Sequence, residues 1–469
     1  MPVSVLADDL DLHLLRRATF GATPAMAADI RSRGASAWLT EQLQPDSIPD
    51  PAGDSVVARY PLVTASISQL NGLAKPRDAS LQLVECTLAR QIWSSRQLFE
   101  IMVEFWSNHL SVQAPHASTY LTKPVEDRTV IRKHAMGRFE NLLLADARSP
   151  AMLAHLNNDT SQLDEPNENY GRELLQLYTV TPAAGYTETD VRNSALLLTG
   201  RSSDGRGTFE YKTDWHYTGP VRILGWSSAN ASASGGLGTS DSYLRYLARH
   251  EQTALALSRK LAIRFVSDDP PQSLIDSLAE TYLDRGTSIV PWLRVLFTSP
   301  EFAASIGQKT RRPGEDVVAT ARALKLSPPT GTSNQPITDL VNECIRFGHA
   351  PLGAPEVTGY PDQLAAWWSI GTTLGRCNMH RSRTRGFPTG LPRPPLKDLL
   401  IGAPMPTHGH MIDRLTGSLT GQTFRDDHRT ALLTYAGMTA AQTYTQTLVD
   451  KWLPDLTEMV LNSSYRMLR

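Results

Sequence analysis

The stretch LFEIMVEFWSNH, residues 98–109, decides how this chain folds. At about 100° per residue, Leu98, Met102, Phe105 and His109 fall on one narrow helical face. His109 therefore sits at the centre of an apolar stripe, not at its edge. An imidazole placed there needs a partner for each ring nitrogen that would otherwise be unsatisfied. Two readings are open: a core histidine tied to a backbone carbonyl, or a metal ligand or proton carrier.

Helical periodicity continues on both sides of this stretch. It predicts long helices over about 80–109 and 126–146, more helices over 241–305, and a last strongly periodic helix over 440–463. Upstream, residues 9–43 read as helix, turn and helix, with Thr23 as N-cap and Pro24 at the first helical position. Thr187 with Asp190 imitates a capping box whose helix stops at Gly200. Aromatic and polar residues alternate loosely over 209–225, which predicts a short hairpin or an extended loop. The small-residue run SSANASASGGLGTS (227–240) reads as a mobile surface loop. The expected fold class is mainly α, a multi-helical globular array. Residues 1–325 carry the main motifs, and a C-terminal helical region, 326–469, is expected to pack with them as one unit.

Composition limits the function classes. Hydrophobic residues make up 41% and charged residues 20%, ordinary for a folded globular protein. A net charge of −1 gives no global field for nucleic acid or acidic membranes, so no nucleic-acid partner is expected. The local basic run Arg381, Arg383 and Arg385 reads as a solvated loop. Three scattered cysteines exclude a disulfide framework and a Cys-rich zinc module. No basic region followed by an apolar run opens the chain, and no apolar stretch is long enough for a membrane span. A cytoplasmic location is the expectation. P-loop, dinucleotide-binding GxGxxG, GxSxG and HExxH patterns are all absent, which removes support for the chemistries they serve.

Polar residues are densest in NENYGRELLQLYT (167–179). Asn167 can cap a helix whose apolar stripe is Tyr170, Leu174, Leu177 and Tyr178. Glu173 borders that stripe, with Asn169 one turn behind it. Glu168 and Arg172 lie one turn apart on the outer face and suit an i,i+4 pair. A capped, salt-bridged helix explains much of this, yet the same side chains could bind a carboxylate, metal or carbonyl. Asn157 and Asn158 read as helix-end residues.

Together LLRRATFGATP (14–24), FWSNHLSV (105–112), NENYGRELLQLYT and GYTETDV (185–191) resemble the bacterial domain-of-unknown-function family numbered eighteen hundred. HYTGPVRILG (216–225), KLAIRFVSDDPP (260–271), GYPDQLAAWW (359–368) and the closing VLNSSYRMLR extend the resemblance over almost the whole chain. The resemblance implies a helical protein from a family whose members are often exported. It also implies a partner protein, because such members are often encoded beside a second, sulfatase-like family. Carried over by position, its polar residues are His109, Asn158, Glu168, Asn169, Arg172, Glu173 and His216. The chain departs from the family pattern at Tyr178, usually histidine, at Tyr217 and Asn157, usually aspartate, and at Val221, where a lysine is usual. Those losses weaken a metal site most, because hard cations and iron need anionic ligands.

Two functions are expected from these residues. The first is an enzyme that tailors a small molecule or peptide by oxidative or hydrolytic chemistry, with a divalent transition metal as cofactor. Its catalytic residues would be His109, Glu173 and His216, with His109, Glu168 and Glu173 as metal ligands. Asn158, Asn169, Arg172 and Tyr178 would bind substrate, the Arg172 fork suiting an anionic group. The second is a non-catalytic helical module that binds a partner, which predicts a broad exposed apolar patch and no deep polar pocket.

Overall fold

Helices take up 60% of the protein and strands 4% in a computed structural model that describes residues 5–403 and 405–469. The mainly α class is therefore as expected. The leader-free reading of the N-terminus begins on residues 1–4, which lie outside the described residues. The first unit begins as the sequence predicts, but its second helix stops at Gly34, where φ is +86°, and Ala35–Gln42 forms a third. Leu10–Ala18 and Pro24–Arg33 are helices, and the Thr23 side chain accepts the Met26 amide at the second helix's start.

The helix expected over 80–109 is two helices, Arg77–Trp93 and α1 (Gln97–His109). The break is built from side chains. Ser94 Oγ and the Ser95 amide both donate to the Asp50 carboxylate, at 2.6 and 2.8 Å. Gln97 Nε2 donates to the carbonyls of Gln91 and Ser94. A remote aspartate offers those backbone groups a better alternative than helix continuation, which periodicity cannot reveal. The run over 126–146 also breaks. The Gly137 carbonyl accepts the Ile289 amide and the Phe139 amide donates to Thr287, so a neighbouring loop takes over the ladder.

Asn167 caps α2 (Glu168–Glu173) as predicted, its side chain accepting the Asn169 amide. The helix then widens into a π-turn over Leu174–Tyr178. That widening buries Leu175 fully and leaves Leu177 only partly buried, so the stripe differs by one residue from a regular helix. The Thr187–Asp190 capping box opens α3 (Glu188–Leu198), and both of its reciprocal bonds are formed.

Around 209–225, where a short hairpin or an extended loop is expected, short strands do form. There are two small antiparallel ribbons, β1 (Arg201–Ser203) with β2 (Phe209–Tyr211), and β3 (Val221–Ile223) with β4 (Trp226–Ser228). Leu224 and Gly225 turn β3 into β4 with φ of 47° and 87°. Two positive φ values make the tight turn that suits strand twist, a cost glycine avoids and Leu224 bears. The small-residue run at 227–240 is correspondingly shorter as a loop, since it starts inside β4 and ends in the helix Gly236–Ala248.

Three further helices frame the functional region: α4 (Glu251–Phe265), α5 (Pro313–Ala323) and α6 (Ile370–Thr384). One hydrophobic cluster runs from Leu14 to Tyr465 and takes in residues of both the 1–325 and 326–469 regions. Charges join the regions too. Asp316 on α5 holds Arg376 Nε at 2.9 Å and His380 Nε2 at 3.1 Å on α6. No described helix is long and apolar enough to cross a membrane.

Candidate active-site pocket

A cavity of about 530 Å³ opens between α1, α4 and the loop at 356–363. Helical spacing explains who reaches it. On α1, Glu104 and Asn108 are i,i+4 neighbours, as are Phe105 and His109; on α4, Lys260 and Arg264 are spaced the same way. Each helix thus turns one face to the cavity. The loop supplies Tyr360, Pro361 and Asp362, and Arg312 enters from the cap of α5.

The loop is fastened to α1 through one asparagine. Asn108 Nδ2 donates to the Tyr360 carbonyl at 2.8 Å, and its Oδ1 accepts the Tyr360 amide at 2.6 Å. Gly359 permits this approach. Its φ is +74°, and a Cβ there would stand 2.1 Å from the Asn108 carbonyl oxygen.

His109 has partners for both ring nitrogens. Nε2 lies 3.1 Å from the Tyr178 carbonyl and Nδ1 lies 3.0 Å from Lys260 Nζ. A carbonyl only accepts, so Nε2 carries the ring hydrogen and Nδ1 accepts from the lysine. Burial, then the neighbouring Lys260 charge, hold His109 well below its ordinary range, against the Tyr178 hydrogen bond. Lys260 is pushed down to about 8 by burial, with Asp362 opposing the shift. No carboxylate among the described residues forms an ion pair with Lys260.

Beneath the cavity lies a buried network of charges. Arg264 Nη1 meets Glu315 Oε1 at 2.6 Å and its Nη2 meets Glu104 Oε2 at 3.0 Å. Arg312 reaches Glu104 at 2.7 Å and Glu315 at 3.0 Å, and Arg469 reaches Glu315 at 3.0 Å. Burial alone would raise Glu315, but the three guanidiniums outweigh it and hold the carboxyl well below its usual range. Asp362 is likewise lowered by Arg312 and Arg264 against burial. Its Oδ1 lies 3.4 Å from Arg312 Nη1 and 3.8 Å from Arg264 Nη1, and it makes no hydrogen bond among the described residues.

Of the site residues expected from sequence, His109 alone lines this cavity. Tyr178 stands behind it, contributing its carbonyl. The Tyr178 ring is buried, and burial with the charges of Asp146 and Glu173 raises its hydroxyl well above its ordinary range. Glu173 is partly buried and raised by desolvation, which Arg172 partly offsets. Arg172 has no free fork for an anionic substrate, because Glu188 occupies it at 3.0 and 2.7 Å and Glu168 adds a contact at 3.3 Å.

The remaining residues serve the framework. Asn158 donates to the Leu198 and Arg201 carbonyls, and Asn169 reaches the Leu156 carbonyl. His216 is buried between the Thr199 carbonyl and Asn230 Oδ1, each at 3.0 Å. No hydrogen bond among the described residues links His109, Glu173 and His216. The basic run of α6 is also engaged, with Arg383 on Glu343 and Arg385 on Asp455 and Glu458.

A transition metal does not fit the donors proposed for it. Nε2 of His109 carries its hydrogen toward a backbone carbonyl and the Nδ1 lone pair faces the lysine amine, so a cation could bind neither nitrogen without displacing a partner. Glu168 is instead paired with Arg172 at the surface. Among the described residues no three His, Cys, Asp or Glu side chains are grouped to hold a metal ion.

Sequence reasoning missed Lys260, Arg264, Arg312 and Asp362. A signal existed for the first two: in KLAIRF, two cations spaced i,i+4 interrupt an otherwise apolar segment. Asp362 and Arg312 are brought in by tertiary packing alone.

Fold and cavity together define a mainly helical protein with a polar pocket roofed by one loop over a buried charge network. The chain belongs to the family described as protein of unknown function (DUF1800), which matches residues 13–466. Comparison with curated proteins and with solved structures finds no match.

Proposed function

We propose that this protein is an enzyme that acts on a small organic molecule or peptide end held in the α1–α4 cavity, with Lys260 Nζ as the reactive group. One observation carries the reading: an amine with no carboxylate partner among the described residues lines a sizeable cavity and donates to a histidine whose tautomer is fixed from behind. An amine near 8 accepts and returns protons close to neutral pH, the range in which acid–base catalysis is efficient. His109 is a positioning residue, because its Nδ1 orients the amine and its Nε2 is committed to Tyr178. The charge network below fixes Glu104 and Asp362 without consuming Lys260.

This assignment moves the reactive role from Glu173 and His216 to Lys260 and keeps His109. A purely partner-binding module expects no polar pocket, which counts against that reading. What favours it is the exposure of Trp368 (74%) and Ile370 (81%) just beyond the pocket loop.

The test is substrate consumption. Wild-type protein and Lys260→Met are incubated with a fractionated metabolite extract, and components are followed by mass spectrometry. At least one component should be consumed by the wild type only. Consumption that survives in Lys260→Met, or none in the wild type, overturns the assignment.

A further inference from the structure

We infer that the cavity takes a neutral aldehyde or ketone, which Lys260 binds covalently as an imine with Asp362 as its counterion. This deepens the proposed function and rests on it. Lys309 is also pushed down to about 8, yet it is ion-paired with Asp268, donates to the Asp362 carbonyl and does not line the cavity. Among the described residues Lys260 bonds only to the His109 acceptor, and it faces a space large enough for a small organic molecule. A desolvated lysine with an open approach is the setting in which an amine is a nucleophile and not merely a cation.

The step balances without a further reagent. Neutral Nζ adds to the carbonyl carbon, forming the C–N bond as the carbonyl π pair moves to oxygen. Nζ gives up both of its hydrogens to that oxygen, which leaves as water when the C–O bond breaks. The imine then takes up one proton and becomes an iminium cation. No oxidant or reductant is needed.

Asp362 suits the cation that results. Its Oδ1 is without a hydrogen bond among the described residues, its carboxyl is held ionised by Arg312 and Arg264, and its charge acts on Lys260. Charge also selects the substrate. The cavity lining carries Glu104, Glu356 and Asp362 against Lys260, Arg264 and Arg312. With the amine neutral, as attack requires, the acids outnumber the bases by one. Both guanidiniums are already bound to carboxylates, so no free fork receives a substrate carboxylate. A keto acid is disfavoured, and a neutral carbonyl compound can lay its apolar part against Phe105 and Ile263.

The test uses full-length protein at pH 8 with butanal or pyruvate and sodium cyanoborohydride, which converts an imine to a stable secondary amine. Peptide mass spectrometry then gives the yield at each lysine. Lys260 should carry the butanal adduct at least tenfold above the other lysines, Lys309 included, with pyruvate giving less. Lys260→Met, checked for folding by circular dichroism, should lose the enriched site. Acetic anhydride labelling across pH separates the failures. If acetylation of Lys260 has its midpoint near 8 but butanal shows no enrichment, the carbonyl inference falls and the acid–base reading stands. If the midpoint lies near 10, both fall. A pyruvate adduct exceeding the butanal adduct overturns the assignment to neutral substrates.

Discussion

Lys260 Nζ and the Tyr178 carbonyl sit on opposite ring nitrogens of His109, at 3.0 and 3.1 Å, so the π-turn after α2 is coupled to the cavity amine through one imidazole. Replacing the ring should therefore change the lysine more than the fold. In His109→Gln the Lys260 amine loses its fixed acceptor. The pH midpoint of its acetylation should move, while that of Lys309 stays near 8. Movement of both lysines together would mean a general loosening, not a positioning role.

Lys260 should also cost stability at neutral pH. Its folded pKa lies below its unfolded value near 10.4, so the folded state binds fewer protons between about 8 and 10.4, and stability rises with pH in that window. Lys260→Met removes a largely buried cation that has no ion-pair partner. It should stabilise the protein by about 1–3 kcal/mol at pH 7, and the gap to wild type should shrink by pH 10.5. Urea unfolding at both pH values measures this. A pH-independent gap would contradict a lowered Lys260.

Much of the fold was legible because its determinants are local. Thr23, Asn167 and the Thr187–Asp190 pair act within one helical turn, and each caps the helix its spacing announces. The failures have remote causes. Asp50 ends the helix before α1 from more than forty positions away, as its bond to Ser94 shows. The site was less legible than the fold. His109 is marked by its place on an apolar stripe, whereas the spacing of Lys260 and Arg264 was a signal left unread. Asp362 and Arg312 lie in loop and cap, where no period marks which side chains turn inward. The NENYGRELL segment drew attention because its polar residues are dense in sequence, but Arg172, Glu168 and Glu188 satisfy one another at the surface.

Glu315 is the centre of the buried charge network, and its loss should be severe. Glu315→Gln leaves Arg264, Arg312 and Arg469 without a shared anion and should destabilise by about 3–5 kcal/mol. The wild-type carboxyl is lowered in the fold, so its contribution is full above the unfolded carboxyl pKa of about 4.3 and is lost progressively as pH falls from there through the lower folded value. Wild type and Glu315→Gln should therefore converge in acid. Unfolding midpoints at pH 7 and pH 3.5 test both statements.

The Tyr178 hydroxyl is buried with no hydrogen-bond partner among the described residues. Both carboxylate oxygens of Asp146 are also unpartnered, and burial, with the Glu126 charge, raises that carboxyl well above its ordinary range. A hydroxyl left unsatisfied costs about 1–3 kcal/mol, so Tyr178→Phe should be neutral or stabilising by about 1 kcal/mol. It should leave the acetylation midpoint of Lys260 unchanged, because the carbonyl that His109 bonds and the ring edge that packs against it are both kept. A loss of 1 kcal/mol or more on urea unfolding would reveal a partner for the hydroxyl, such as a water shared with Asp146.

Gly359 tests whether the loop or the helices make the cavity. A Cβ at this position meets the Asn108 carbonyl oxygen at 2.1 Å, and φ of +74° is strained for any other L-residue. Gly359→Ala must therefore push the loop from α1 and break the two Asn108–Tyr360 bonds, at a cost of about 1–3 kcal/mol. The helices carry Lys260 and His109 independently of the loop, so the amine and its acceptor should remain paired. What the variant loses is Asp362 and the dry wall beside the amine. With water admitted, the Lys260 acetylation midpoint should rise from near 8 toward 10, because desolvation is the larger of the two opposing effects. A midpoint that falls instead would assign the dominant role to the Asp362 charge, and an unchanged midpoint would place the amine beyond the loop's reach.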